Sequence, residues 1–316
     1  MLYLAQPKAA AASINYSFDW TDWLSSGTTI ADSAWTADAG LTVNAAGTIV
    51  SPRTTTPISG GAAGTAYRAH NTATASNGEI DTRSVLIVVD PAMAAGPSMQ
   101  ADLLLFRLCK LVPFSPATEP IPEVYEQAVH DSVAQLSQDA PLMRTATLSI
   151  VAGTATYSLP TDFQAMISLS GMSAQSGVII GDNGLIPTPS GFGERYDVAG
   201  NQITFTPTPS YTMARTLRYA ARHVLADGAY ANLGLNGARI ALLYAQSLVL
   251  SHQASQSAGS GWKYQIGDEM VDKSQLGKGL MGQSEGLLKQ YQAAVAKLKG
   301  YGQRAEYDLA ELPSWA

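Results

Sequence analysis

A chain of 316 residues, 46% of them hydrophobic, has length for two compact domains and material for packed cores, which excludes disorder of the whole chain. Charged residues make up only 14%, against roughly 25% in soluble domains, so the surface is built of Ser, Thr, Gln, Gly and Ala and suits packing against further copies. The net charge of −6 excludes wrapping of duplex DNA, an affinity that comes from Lys and Arg on phosphates, yet it fits a channel that repels passing DNA.

Cys109 is the only cysteine, which excludes an intrachain disulfide and a cysteine-rich zinc site. It lies in the apolar run Leu103-Leu104-Leu105-Phe106-Arg107-Leu108, where it reads as a small buried hydrophobe. The four histidines are scattered, and no metal or other cofactor is expected. Neither an 18-residue apolar span nor a signal peptide is legible, so the expectation is synthesis in the host cytosol and no membrane contact.

From Ser13 to Val89 the pattern is all-β. Ile14–Phe18, Leu41–Val43, Ala66–Ala69 and Arg83–Val89 are short apolar runs, punctuated by Ser26-Gly27, Ala39-Gly40, Gly60-Gly61, Ala63-Gly64 and Asn77-Gly78. Asn77-Gly78 predicts a hairpin with both central residues at positive φ. The turn spacing predicts a small sandwich over residues 1–91, with Trp20, Trp23 and Trp35 in its core. Residues 92–97, bracketed by Pro91 and Pro97, read as a linker.

The grammar then changes to helices. Periodicity predicts helices over 99–112, capped by Ser98, and over 123–139, stopped by Pro141. A β insertion follows over 145–222. Thr145–Val151 and Thr154–Pro160 read as one hairpin about Ala152-Gly153, Phe163–Ser170 as a strand, residues 173–193 as an irregular insertion, Tyr196–Val198 with Gln202–Thr206 as a second hairpin, and Thr216–Arg222 as a last strand. Two further helices are expected over 237–256 and 283–299. Residues 301–316 are too short to fold alone yet carry Tyr307, Leu309, Leu312 and Trp315, which read as a docking arm.

Two segments carry a family resemblance. Tyr16-Ser17-Phe18-Asp19-Trp20-Thr21-Asp22-Trp23-Leu24, Gly27–Trp35, Gly40–Val43 and Gly60–Tyr67 resemble the immunoglobulin-like modules called fiber-tail adaptors. The order of two helices, a β insertion bearing Tyr157-Ser158-Leu159-Pro160-Thr161-Asp162-Phe163, and two long helices resembles tailed-phage head-to-tail adaptor (connector) proteins over about 98–300. The resemblance implies an α+β multidomain fold and a non-enzymatic virion protein at the neck. It implies a ring, a dodecamer, under the portal protein, lining the DNA passage without sequence-specific binding. Tail or nozzle proteins and tail fibres are the further partners it suggests.

Other patterns are weaker. Gly277-Lys278-Gly279-Leu280-Met281-Gly282 matches a dinucleotide-binding string but follows a polar segment instead of a buried strand, so it reads as a hinge or interface loop. Asp182-Asn183-Gly184 lacks the later Glu of a calcium loop and reads as a turn. Asp162 is placed to cap its corner by accepting backbone N–H groups, and Asp19 and Asp22 read as solvated. Arg215, Arg218, Arg222, Lys263 and Lys278 are candidate contacts to the portal or the DNA backbone. Two rival functions stay open: a tail-side fibre or baseplate attachment protein, and a carbohydrate-binding virion protein that stacks sugars on exposed Trp20, Trp23 and Trp35.

Overall fold

The structure, a computed structural model, describes residues 1–5, 7–44, 47–90, 99–112, 121–169, 184–186, 194–259, 263–266, 269–272 and 276–302. It divides into two compact units, one formed by Met1–Val133 with Leu225–Ala316 and the other by Ala134–Val224.

The first unit begins with a β-sandwich. Its strands are β1 (Leu2–Leu4), β2 (Ile14–Asp19), β3 (Ile30–Ala37), β4 (Leu41–Val43), β5 (Thr48–Val50), β6 (Arg53–Gly60), β7 (Thr65–Ala75) and β8 (Ile80–Val89). One sheet has the order β1-β8-β7-β3, and in the other β2, β4 and β5 all pair with β6. Residues alternate in and out along β6 and β7, as a half-buried strand requires. Tyr16, Phe18, Trp20 and Ile58 from one side meet Ile30, Ala69, Ala73, Val85 and Ile87 from the other in one core. The tight turn joining β7 to β8 has only Gly78 at positive φ (88°), not both central residues; Gly78 N–H donates to Ala75 O at 2.9 Å and Ala75 N–H to Glu79 O at 2.8 Å. The expected two-residue turn is thus replaced by a longer one that needs a single left-handed residue.

The chain continues as β9 (Met99–Gln100), α1 (Ala101–Leu111) and α2 (Glu123–Asp139) and passes into the second unit through β10 (Leu142–Ile150), β11 (Thr156–Ser158), β12 (Phe163–Leu169), β13 (Gly184–Ile186), β14 (Glu194–Ala199), β15 (Gln202–Thr206) and β16 (Met213–Ala221). It returns as β17 (Leu225–Ala226), β18 (Ala229–Tyr230), α3 (Leu235–Gly259), β19 (Lys263–Ile266), β20 (Glu269–Asp272) and α4 (Leu276–Gly302). The expected cap Ser98 and the linker 92–97 lie outside the described residues. Gln100 stands at the N-cap of α1 without a side-chain capping bond, because its amide oxygen accepts Ala66 N–H at 2.8 Å instead.

Helix α1 is buried nearly all round, at Leu103, Leu104, Leu105, Phe106, Leu108 and Cys109. It contacts both β7 and β8. That explains why Val85–Val89 is a continuous apolar run: both faces of this end of β8 are covered, so alternation is not needed. Helices α3 and α4, of 25 and 27 residues, pack together and are longer than expected at both ends. The glycine string 277–282 is therefore helix and not a hinge, although each interior Gly costs about 1 kcal/mol against Ala. Packing offsets that cost: Ser284 Oγ donates to Ser247 O at 2.7 Å, and the Tyr244 and Tyr291 rings sit 5.0 Å apart. The polar segment before it contains the β19–β20 hairpin.

The second unit is built on two sheets, β10-β16-β12 and β11-β15-β14-β13, around Ile150, Leu159, Phe163, Ile203, Phe205, Leu217 and Tyr219. The expected hairpin β14–β15 is present, with Ala199 opposite Gln202. The other is not: β10 pairs with β16 and β11 with β15, so the chain changes sheets at residues 151–155. Tyr157 fixes that change, its hydroxyl accepting Val151 N–H at 2.9 Å and contacting Thr154 O at 2.8 Å. Within the expected irregular insertion, Gly184–Ile186 forms β13; Asp182 and Asn183 lie outside the described residues.

Candidate docking site

The first unit has an open groove of about 620 Å³ between α1, α3 and α4. Leu111 and Val112 close one end, and Gln246, Leu250 and Gln253 line it from α3. Helix α4 adds Leu280, Gln283, Leu287 and Gln290, which recur at helical spacing on one face. The neighbouring face of α4 is the buried one, at Ser284, Tyr291 and Val295. Leu111 is left 53% exposed on this wall. Gly286 of α4 also lines the groove, and a Cβ built on it meets nothing within 4 Å.

The wall is held by a short polar chain. Gln253 Nε2 donates to the Tyr125 hydroxyl at 3.1 Å, and that hydroxyl donates to Val112 O at 2.8 Å, satisfying a carbonyl at the end of α1. Burial pushes the Tyr125 hydroxyl up to about 12, with Cys109 adding to the rise and Gln253 opposing it, so the donor stays protonated. Burial likewise pushes the Cys109 thiol up to about 12, which makes it an inert hydrophobe.

A second cleft, of about 260 Å³, is lined by charges that already satisfy one another. Arg68 on β7 donates to Asp102 through Nε at 2.8 Å and Nη2 at 2.5 Å, and to Glu126 Oε1 at 3.0 Å. The bidentate bond to Asp102 leads in holding this guanidinium protonated. Beside it His130 Nδ1 lies 2.5 Å from the Tyr230 hydroxyl, which burial pushes up to about 12. This constellation fastens the sandwich to α1 and α2. Sequence reading missed it because its members come from four elements with no local signature.

The basic candidates divide between the units. Arg215, Arg218 and Arg222 lie on or just after β16, where alternation separates them: Arg218 and Arg222 are exposed, while Arg215 is buried at 5%, its guanidinium 5.3 Å from the Tyr211 ring centroid and hydrogen-bonded to the Tyr211 hydroxyl. Lys278 is exposed in the first turn of α4, and Lys263 opens β19. Tyr307, Leu309, Leu312 and Trp315 lie outside the described residues. At the Tyr157–Phe163 corner the carboxylate of Asp162 accepts from Arg144 Nη1 at 2.7 Å and the Tyr219 hydroxyl at 3.0 Å. The expected backbone cap is replaced by a side-chain pair, while Phe163 stacks on Tyr219 at 5.8 Å.

Trp20, Trp23 and Trp35 form no exposed sugar platform. Trp20 is fully buried and Trp23 and Trp35 are half-buried, packed in one cluster in which Phe18 lies 5.4 Å from Trp35 and Trp20 lies 5.3 Å from Trp23. The carbohydrate-stacking expectation fails, because these rings are committed to one another. Asp19 is not simply solvated: it accepts Thr21 N–H at 3.0 Å and pairs with Arg53 at 3.2 Å. Among the described residues, no helix is long and apolar enough to cross a membrane.

The chain joins a β-sandwich to helices that carry a β insertion. Comparison with protein families identifies each part. Residues 8–88 match the family model of the podophage GP4 fiber-tail adaptor protein gp77, and residues 99–270, over half the chain, match that of the SU10 adaptor protein. The chain belongs to the SU10 adaptor protein family and carries an N-terminal fiber-tail-adaptor module; it is a phage structural adaptor of the virion. No curated protein matches it.

Proposed function

We propose that the protein is the head-to-tail adaptor of a tailed phage, a closed ring of identical subunits, a dodecamer, that joins the portal to the tail and lines the passage of the genome. The observation that carries this reading is the union, in one chain, of an SU10-type adaptor module with a fiber-tail-adaptor module. A surface poor in charge and a net charge of −6 support it, since such a bore lets DNA slide without sticking. The functional parts are the immunoglobulin-like sandwich, residues 1–91, on the outside for decoration or fibre attachment, the adaptor domain, 98–300, and the arm, 301–316. Exposed Arg218, Arg222 and Lys278, with Lys263, meet the portal or the DNA backbone, and Arg215 supports them from inside its sheet. Tyr307, Leu309, Leu312 and Trp315 dock on a neighbouring subunit or the portal. No enzymatic role is assigned.

The fiber-tail-adaptor match also favours a second reading, a tail-side attachment protein in which the sandwich is central. Electron microscopy and solution mass of the chain, alone and with portal particles, separate the two. Dodecameric rings with a bore wide enough for duplex DNA are expected, alone or on the portal. A trimer or hexamer that ignores the portal overturns the adaptor ring in favour of the tail-side reading.

A further inference from the structure

We infer that neighbouring copies of the chain meet through two helix faces of opposite charge, the outer side of α2 on one copy against the outer side of α4 on the next. The inference rests on the closed-ring reading and names the surface that closes the ring.

Charge is the first argument. In a chain with only 14% charged residues, α2 carries Glu123, Glu126, Asp131 and Asp139 and no Lys or Arg. From Gly286 to Lys299, α4 carries Lys289, Lys297 and Lys299 and no Asp or Glu. Glu126 is engaged within its own chain by Arg68. Glu123, Asp131, Lys289 and Lys297 are not so engaged: all four are exposed, all lie in the first unit, and among the described residues none has an ion-pair partner. Gln127 Nε2 donates to Asp131 Oδ1 at 2.7 Å, which fixes that carboxylate on the outer side and leaves Oδ2 to accept from elsewhere.

Spacing is the second. Glu123, Gln127 and Asp131 stand at i, i+4 and i+8, a single row on the side of α2 away from buried Tyr125, Val129 and Leu136. Lys289, Ala293 and Lys297 form the same row on α4, away from buried Tyr291 and Val295. Both rows are charged at the ends, uncharged in the middle and about 12 Å long at 1.5 Å per residue. Rows of this spacing run together when two helices cross at about −50°, the commonest packing class. Whichever way the helices run, each Lys then stands against a carboxylate, and small Ala293 leaves room for Gln127. A single exposed pair contributes little, yet a closed ring repeats both pairs at every junction. Because each subunit offers one acidic and one basic row, the contacts can run head to tail around the ring.

The test is charge exchange in the full-length chain, read by solution mass and electron microscopy, alone and with portal particles. One variant is Lys289→Glu with Lys297→Glu, the other Glu123→Lys with Asp131→Lys; Glu126 stays in place because it holds Arg68. Each variant by itself sets like charge against like and is expected to need at least about tenfold higher concentration to form rings. Mixed one to one, the two variants again oppose unlike charges at every junction, so rings should return with the variants alternating. A chain carrying all four substitutions has the net charge of the wild type and should assemble as the wild type does. Either variant forming rings at wild-type concentration overturns the inference. So do a mixture and a fourfold chain that assemble no better than the separate variants, with circular dichroism showing each one folded. Wild-type rings with indifferent variants remove this inference and leave the adaptor reading standing. A wild-type chain that forms no ring, alone or on the portal, removes the ring reading and this inference with it.

Discussion

The two β regions of this chain solve one problem, closing a small two-sheet core, with opposite treatments of polar groups. In the N-terminal sandwich the polar groups are inside. Trp20 Nε1 donates to Thr54 Oγ1 at 3.1 Å, Thr54 donates to Asn71 Oδ1 at 2.8 Å, and Asn71 donates to Ser33 Oγ at 2.7 Å, with Trp20, Thr54 and Asn71 all fully buried. In the insertion the core of Leu159, Phe163, Phe205 and Tyr219 is mostly apolar, its one buried charge, Arg215, being held by Tyr211, and Arg144 and Asp162 stand at its edge. An internal network is satisfied only in one arrangement, so it specifies register; a rim pair stabilises without specifying. The sandwich is thus the region in which one lost partner should propagate.

Removing the large rings gives the biggest effects and sets the scale. Trp20→Ala is expected to destabilise the sandwich by about 3–5 kcal/mol, and Phe205→Ala the insertion by about 3–4 kcal/mol, from lost burial and the cavities left behind. The five tryptophans are at 20, 23, 35, 262 and 315, none of them in the second unit. Tryptophan fluorescence should therefore miss the transition that Phe205→Ala shifts, while circular dichroism sees it. A fluorescence midpoint that moves with Phe205→Ala would show the two units melting as one.

The network itself comes next. Thr54→Val keeps the shape but leaves the buried Trp20 N–H and Asn71 amide short of a partner, at a cost of about 1–3 kcal/mol. Thr54→Ser keeps the hydroxyl and loses only a methyl group, about 1 kcal/mol. Chemical denaturation of both variants checks the order; a Val variant as stable as the Ser variant would mean that the hydroxyl contributes only volume.

What could be read in the sequence follows the same division. Trp20, Phe18 and Tyr16 announce a core because aromatic rings at alternate positions of a strand have few other uses, and Pro160 and Gly78 mark corners by removing a donor or permitting positive φ. The apolar faces of α1 and α2 were equally legible. Pairing choices were not: Ala152-Gly153 is a good local turn, yet which sheet each flanking strand joins is decided by Tyr157 and Phe205, whose rings meet 5.8 Å apart only after folding. The Arg68–Asp102–Glu126 junction and the groove beside α4 were hidden for the same reason, since each assembles residues from three separate elements. Gly277, Gly279 and Gly282 misled because local propensity opposes a helix that tertiary packing on α3 sustains.

Asp162→Asn sharpens the comparison from the insertion's side. It preserves size and one acceptor while removing the charge opposite Arg144, whose side chain is 35% exposed, so the loss should be about 1 kcal/mol or less. The loss should shrink further in high salt, whereas that of Thr54→Val should not change with salt. Equal salt dependence in thermal melts of the two variants would remove the distinction between rim and interior.

The smallest effect is expected at Asp19, a rim group on the sandwich itself. Its carboxyl is held below the ordinary Asp value first by the Thr21 hydroxyl at 2.6 Å, then by Thr21 N–H, with Arg53 adding and burial opposing. A lowered folded-state value means that the stabilisation is fully present above the unfolded value, about 4, and is lost as pH falls through the lower folded one. Asp19→Asn should therefore flatten the acid limb of the sandwich's stability below about pH 4 and leave neutral pH changed by no more than ~0.5 kcal/mol, since the side chain is half exposed. Tryptophan-detected denaturation from pH 5 to 3 reads this directly. If the Asn variant keeps the wild-type acid slope, another carboxylate governs it, and Thr21 and Arg53 merely accompany Asp19 at the surface.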